Sequence, residues 1–306
     1  MEKAAAQIRK RFETATDLPF RQQFHFYSRL FLWSRDQTAA TWLEGVHEQV
    51  VGTSAAQFRK RLAAQASRLG IVPTAAQELR REAYQAYPHV RAYSFLLYET
   101  LMVYIVYGVD RRSEIAQLLD VDELHRYTKH LLHDPERLRA LSTYGLNMLY
   151  IAAYFYEEKA LPLEYLAHMA TPKTAARYTP DALRLALYTL AHCVIGESMF
   201  YYRSVSPTVL PMYQSMVQQA GQLLEQRYAD VSLDNKLETL VCARICRVAL
   251  STEQNINDEA LHSFDPQRGY ITDTQNVFHT KPNTLKRAEH RNVLFLLGNQ
   301  TYNPRK

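Results

Sequence analysis

The sequence predicts an all-α fold in which buried inner helices alternate with amphipathic outer ones. Three observations predict it. Glycine is scarce, with 9 residues in 306, about 3% against a usual value near 7%, so hairpin turns and glycine-rich phosphate loops have little material. Prolines stand where helices begin and glycines (Gly52, Gly70, Gly108, Gly298) where they end. No alternating strand run flanked by hairpin turn residues occurs. With 47% hydrophobic and 22% charged residues, the composition is that of a globular protein and not of a disordered one. Neither G-x-G-x-x-G nor G-x-x-x-x-G-K-[ST] is present, which removes the two commonest nucleotide loops.

Residues 1–87 read as a basic helical segment packed on a main body formed by 88–306. Residues 1–91 hold 14 Lys+Arg against 8 Asp+Glu, concentrated at Arg9-Lys10-Arg11, Arg59-Lys60-Arg61 and Arg80-Arg81. Within 54–87 the break L-G-I-V-P separates two helical patterns and resembles the turn of a helix-turn-helix reader. That resemblance implies nucleic-acid contacts from Arg59, Arg61, Gln77, Arg80 and Arg81. The other reading is a solvated, charge-laced helical surface.

Tyr87-Pro88 opens an apolar run over 92–109 that contains Glu99 and four tyrosines. Its length borders on a membrane span, but no second run matches it, and a buried core helix is expected. Residues 113–132 are amphipathic through Ile115, Leu118, Leu119, Leu124, Tyr127 and Leu131. Asp134-Pro135 opens the next buried pattern, including 144–156. Leu161-Pro162 marks another start, and Thr179-Pro180 opens the run 182–202. Residues 209–228 return to one apolar stripe (Val209, Tyr213, Met216, Val217, Ala220, Leu223, Leu224). The run 237–250 and a shorter one after Thr284 are apolar nearly all round, as buried helices are. Buried patterns thus start near Pro88, Pro135, Pro180, Val231 and Thr284, roughly fifty residues apart, a period that belongs to stacked helical hairpins.

Over residues 88–300 this alternation resembles the (α/α) toroid architecture shared by glycoside hydrolases, terpene cyclases, prenyltransferase subunits and lanthionine cyclases. A curved helical-hairpin array that does not close carries the same pattern. The resemblance implies a ring of inner helices whose N-terminal ends gather at one end of a central cavity. Polar residues on the inner helices are then the site candidates: His192 and Glu197, Asp234 and Glu238, and His290 with Arg291. Asp273 and His279, in the long non-helical stretch 265–282, are expected to reach over that end. A His, carboxylates and an Arg held together could do acid–base work or grip a polar ligand. Each has a plainer reading: S-L-D-N-K-L-E (232–238) as a helix cap, His192 as a hydrogen-bonded core histidine, and the 265–282 stretch as a small hairpin around Arg268-Gly269.

The expected function is binding of a small molecule or peptide segment in a polar and aromatic pocket at one end of the inner-helix ring. The alternatives are a hydrolase or lyase using that pocket and nucleic-acid binding through 54–87. No cofactor is expected, and no metal site: Cys193, Cys242 and Cys246 read as core thiols, without C-x-x-C or H-E-x-x-H support. Three cysteines and an N-terminus without an apolar core point to a reduced, cytoplasmic protein with no membrane partner.

Overall fold

A computed structural model describes residues 1–67, 69, 71–73, 75, 78–157, 178–272 and 284–305. It is mostly helical, 73% helix against 2% strand, which establishes the all-α class. Among the described residues no helix is long and apolar enough to cross a membrane. The expected helix start at Leu161-Pro162, the stop at Gly70, and candidate residues Gln77, Asp273 and His279 lie outside the described residues.

The chain forms two compact units: Met1–Leu43, Thr174–Pro180 and Tyr201–Lys306 in the first, Glu44–Lys173 and Asp181–Phe200 in the second. This interleaved grouping does not follow the 1–87 and 88–306 division read from the sequence. Local patterns say where helices start; which helices share a core depends on contacts far apart in the chain.

In the first unit, α1 (Glu2–Glu13) buries Ala4, Ile8 and Phe12, one stripe at four-residue spacing. α2 (Phe20–Ser34) carries the fully buried Phe26, Leu30 and Trp33. In the second unit lie α4 (His47–Val51), α5 (Ala55–Ala66), α6 (Glu78–Ala86), α7 (Val90–Tyr107), α8 (Arg112–Ala116), α9 (Val121–Leu132), α10 (Pro135–Leu141), α11 (Thr143–Ala152) and α12 (Pro180–Glu197). α3 (Gln37–Gly45) begins in the first unit and ends in the second. The first unit is completed by α13 (Leu210–Arg227), α14 (Leu233–Cys246), α15 (Glu253–His262), a two-stranded antiparallel hairpin and α16 (Leu285–Gly298). The hairpin pairs Phe264 with Ile271 and Asp265 with Tyr270, and Gly269 at φ 74° supplies its left-handed turn position.

Among the described residues, each unit holds three parallel buried helices. In the first, α2 and α16 run together, as His25 meets Glu289 towards their starts and Trp33 Nε1, in the last turn of α2, donates to the Gln300 carbonyl at 3.3 Å just past α16. α14 runs the same way: Arg291 reaches Asp234, and Arg244 Nε reaches the Gly298 carbonyl at 3.0 Å. α15 returns antiparallel, tied by Lys236–Glu259 and Arg244–Glu253. In the second unit, α7 and α11 are parallel, with Phe95 against Tyr144 and Tyr104 against Tyr154 just past α11. α12 follows α11 in direction, with Asn147 on His192 and Tyr150 on Gly196. Parallel neighbours in one chain require a return path, which is what an amphipathic helix such as α15 provides.

Candidate functional site

The N-terminal halves of α2, α14 and α16 bring a polar cluster together inside the first unit. α14 starts at Ser232, whose extended backbone (φ −66°, ψ 152°) and Oγ, 3.4 Å from the Asn235 amide, cap the helix. Capping is therefore carried by Ser232, and Asp234 and Glu238 are released to face α16 one turn apart. Twelve of the fourteen α14 residues are buried, so carboxylates there need partners. α16 supplies them.

Arg291 donates from both Nε (3.1 Å) and Nη2 (2.5 Å) to Oδ2 of Asp234. The other carboxylate oxygen, Oδ1, lies 3.6 Å from His290 Nδ1. On the opposite side of the ring, His290 Nε2 stands 4.0 Å from Glu238 Oε1. Both ring nitrogens thus face carboxylates at ion-pair distance, while the His290 side chain keeps 39% of its exposure. The electrostatics follow. Burial opposes ionisation of Asp234, yet His290 and Arg291 hold its carboxyl down to about 2. Burial works against a charged His290, but Asp234 and Glu238 outweigh it and raise its pKa.

His25, from α2, completes the cluster: its ring centre is 5.8 Å from that of His290, and its Nδ1 is 2.8 Å from Glu289 Oε1. Burial, aided by the Arg29 cation, pushes His25 down to about 4 despite Glu289. Near neutral pH it is an uncharged imidazole whose Nδ1–H donates to the Glu289 carboxylate. Two histidines side by side thus prefer opposite protonation states. The sequence reading missed His25. Its signal was a polar pair, His25 and Arg29, one turn apart on a helix rich in aromatic residues.

Asp234, Glu238, His290 and Arg291 are brought together as the sequence pattern proposed. His192 and Glu197 belong to the second unit. His192 is buried and its Nδ1 is 2.9 Å from Asn147 Oδ1, the hydrogen-bonded core arrangement. Glu197 is buried as the last residue of α12, about 25 Å along the axis from the Pro180 start of that helix; the expectation that it sits near an inner-helix N-terminus is corrected.

The basic candidates of the second unit are engaged by the protein itself. Arg59 Nη1 bonds Gln117 Oε1, and Arg61 donates to the Gln49 carbonyl at 2.7 Å and lies over the Phe58 ring. Arg80 donates from Nε to the Ala140 carbonyl (3.1 Å) and from Nη2 to Ser142 Oγ (3.3 Å), and Arg81 Nη1 reaches the Ala75 carbonyl at 3.4 Å. Asp120 caps α9, accepting from the amides of Asp122 and Glu123 at 2.9 and 3.0 Å.

Cys193, Cys242 and Cys246 are buried free thiols. Burial pushes Cys193 and Cys246 up to about 12, which keeps them protonated and unreactive. Among the described residues no group of three or more His, Cys, Asp and Glu is placed to hold a metal ion. Comparison with protein-family models, curated proteins and solved structures returns no match.

Proposed function

We propose that the protein binds a small polar molecule, or a polar peptide segment, at the His290 cluster of the first unit. The carrying observation is a 39% exposed histidine whose two ring nitrogens face Asp234 and Glu238, with Arg291 fixing Asp234 from behind. A ligand hydroxyl or ammonium beside that ring meets a cationic donor and anionic acceptors within one cluster, the arrangement that orients polar groups in binding sites. The same imidazolium–carboxylate pairing supplies the acid and base that a hydrolase or lyase reading needs. The hairpin-array expectation is part of this proposal, supported by buried helices that start at Val90, Thr143, Pro180, Leu233 and Leu285. Placement in the cytoplasm rests on the three free thiols.

The test uses proton NMR of the His290 Cε1–H signal, assigned by comparison with His290→Gln, while glucose, lysine and spermidine are titrated in turn. One of these probes is expected to shift the signal saturably, with affinity weakened about tenfold by Asp234→Asn or Glu238→Gln. If none moves it, or if binding survives both substitutions unchanged, the proposal is wrong.

A further inference from the structure

Away from that cluster, the first unit holds a guanidinium that the protein does not satisfy. Arg35 follows α2 as its left-handed C-cap (φ 59°, ψ 36°). Its Nη1 and Nη2 are buried and have no hydrogen-bond partner among the described residues. A guanidinium cannot shed its proton at any ordinary pH, so burying two of its nitrogens without an acceptor leaves a permanent cost. The Phe31 ring, with its centre 5.3 Å from Arg35 Cζ, offsets part of it. The formal charge that acts on it, Arg305, has the wrong sign. Arg305 depresses the Arg35 pKa after burial itself, while the phenols of Tyr202 and Tyr302 act the other way.

The surroundings are built and not loose. Arg305 is held by its amide on the Tyr202 carbonyl (3.0 Å) and by Nη1 on Tyr202 Oη (2.9 Å). Tyr302 Oη donates to the Arg203 carbonyl at 2.8 Å, and its ring lies 4.5 Å from that of Trp33. The Asn303 amide is fixed to the Trp33 carbonyl at 2.8 Å. Two guanidinium groups are therefore brought to one corner by backbone bonds and aromatic packing, without a carboxylate among the charges that act on Arg35. Arg305 is exposed and Arg35 half-buried, so one cation is open to solvent while the other has its two terminal nitrogens covered.

We propose that this corner is an oxyanion site, in which Arg35 and Arg305 grip a phosphate group between them and the tyrosine hydroxyls border it. Planar guanidinium forks match phosphate oxygens, and charge-assisted bonds of this kind are strongest where water is excluded. An anion seated there cancels the repulsion between the two arginines and gives the enclosed nitrogens their acceptors. Arg35 sets affinity from the covered side, and Arg305 meets the ligand from the solvent side.

The experiment titrates inorganic phosphate into the full chain at constant ionic strength, with chloride as the balancing ion and acetate as a second probe. Thermal unfolding reports binding by mass action, and the Arg35 side-chain N–H signals in 15N NMR report its place. Phosphate is expected to raise the unfolding temperature saturably and to shift the Arg35 signals. Arg35→Met is expected to abolish the rise in unfolding temperature with phosphate while unfolding at a higher temperature than the parent in phosphate-free buffer, because the uncompensated charge is gone. Arg305→Gln should weaken phosphate about tenfold. A response to acetate with none to phosphate assigns the site to carboxylates and overturns the phosphate proposal. So does a phosphate response that Arg35→Met leaves intact, or no shift of the Arg35 signals in the parent. His290 variants leave the response unchanged, so this outcome and that of the cluster proposal are read separately.

Discussion

Gly196 shows how much one absent methyl group can decide. It lies inside α12, where glycine ordinarily costs about 1 kcal/mol against alanine. A Cβ built there would clash with the Tyr150 ring, so the glycine is what lets α11 and α12 approach. Gly196→Ala should destabilise the protein by about 1–3 kcal/mol through overpacking. Gly45, also helical, has nothing within 4 Å of its would-be Cβ, so Gly45→Ala should stabilise by about 0.4–1 kcal/mol. Urea unfolding of both variants checks the contrast; equal effects would show that Tyr150 yields. Lys236 makes the same kind of argument with charge. Its side chain is 1% exposed, its Nζ is 2.7 Å from Glu259 Oε2, and it lies 3.8 Å above the Tyr228 ring centre. Glu259→Gln strands a buried ammonium and should cost about 3–5 kcal/mol. Lys236→Met leaves only a carboxylate that is already 13% exposed and should cost clearly less. The reverse order in urea midpoints would mean the pair is not what holds Lys236 inside.

Helices were legible in proportion to how local their causes are. Pro135 and Pro180 are first residues of helices, Asp134 caps the former by accepting from the Arg137 amide, and Gly108 closes α7 in the left-handed region. The Asp120 cap belongs to the same class: Asp120→Ala should cost about 1 kcal/mol by leaving two amides of α9 without their acceptor. A urea midpoint unchanged from the parent would assign those amides to water instead. What the sequence hid is where geometry is imposed from outside the segment. The pattern from Pro135 reads as one run, yet Ser142 (φ 44°, ψ −112°) divides it into α10 and α11. Leu138 and Leu141 crowd the would-be Cβ of Gly145, at 2.7 and 3.2 Å, so the corner is set by packing. After α12 the chain takes three successive left-handed residues, Met199, Phe200 and Tyr201. None is glycine and all are buried, so no local propensity announces the turn. The site divides the same way. Asp234, Glu238, His290 and Arg291 stood out because they interrupt helix starts in apolar runs. His25 did not, because its relevance comes from α16, more than 250 residues away in the chain.

At the scale of the whole molecule, the His25–His290 pair should give stability a maximum near pH 6.5. In the unfolded chain both imidazoles titrate near 6.5. Folded His25 titrates at about 4, so between 6.5 and about 4 the unfolded chain takes up a proton that the folded one refuses. Stability therefore falls as pH drops through that window, by about 3 kcal/mol for the gap between 6.5 and 4. Folded His290 has a raised pKa. Its contribution is complete below 6.5 and is lost as pH rises through its folded value. Asp234, held at about 2, adds a second acid-side loss of about 2 kcal/mol, confined to the range from 3.8 down to 2. The three windows barely overlap, which lets substitutions separate them. His25→Gln should flatten the curve between pH 6.5 and 4 and leave the decline below 3.8 in place. His290→Gln should remove the alkaline-side decline and also shrink the one below 3.8, because His290 is one of the two groups that hold Asp234 down. Urea unfolding at half-unit pH steps reads all three curves. A His25→Gln curve running parallel to the parent through pH 5 would mean that the ring charges freely beside Glu289, and that the opposed protonation states assigned to the two histidines are wrong.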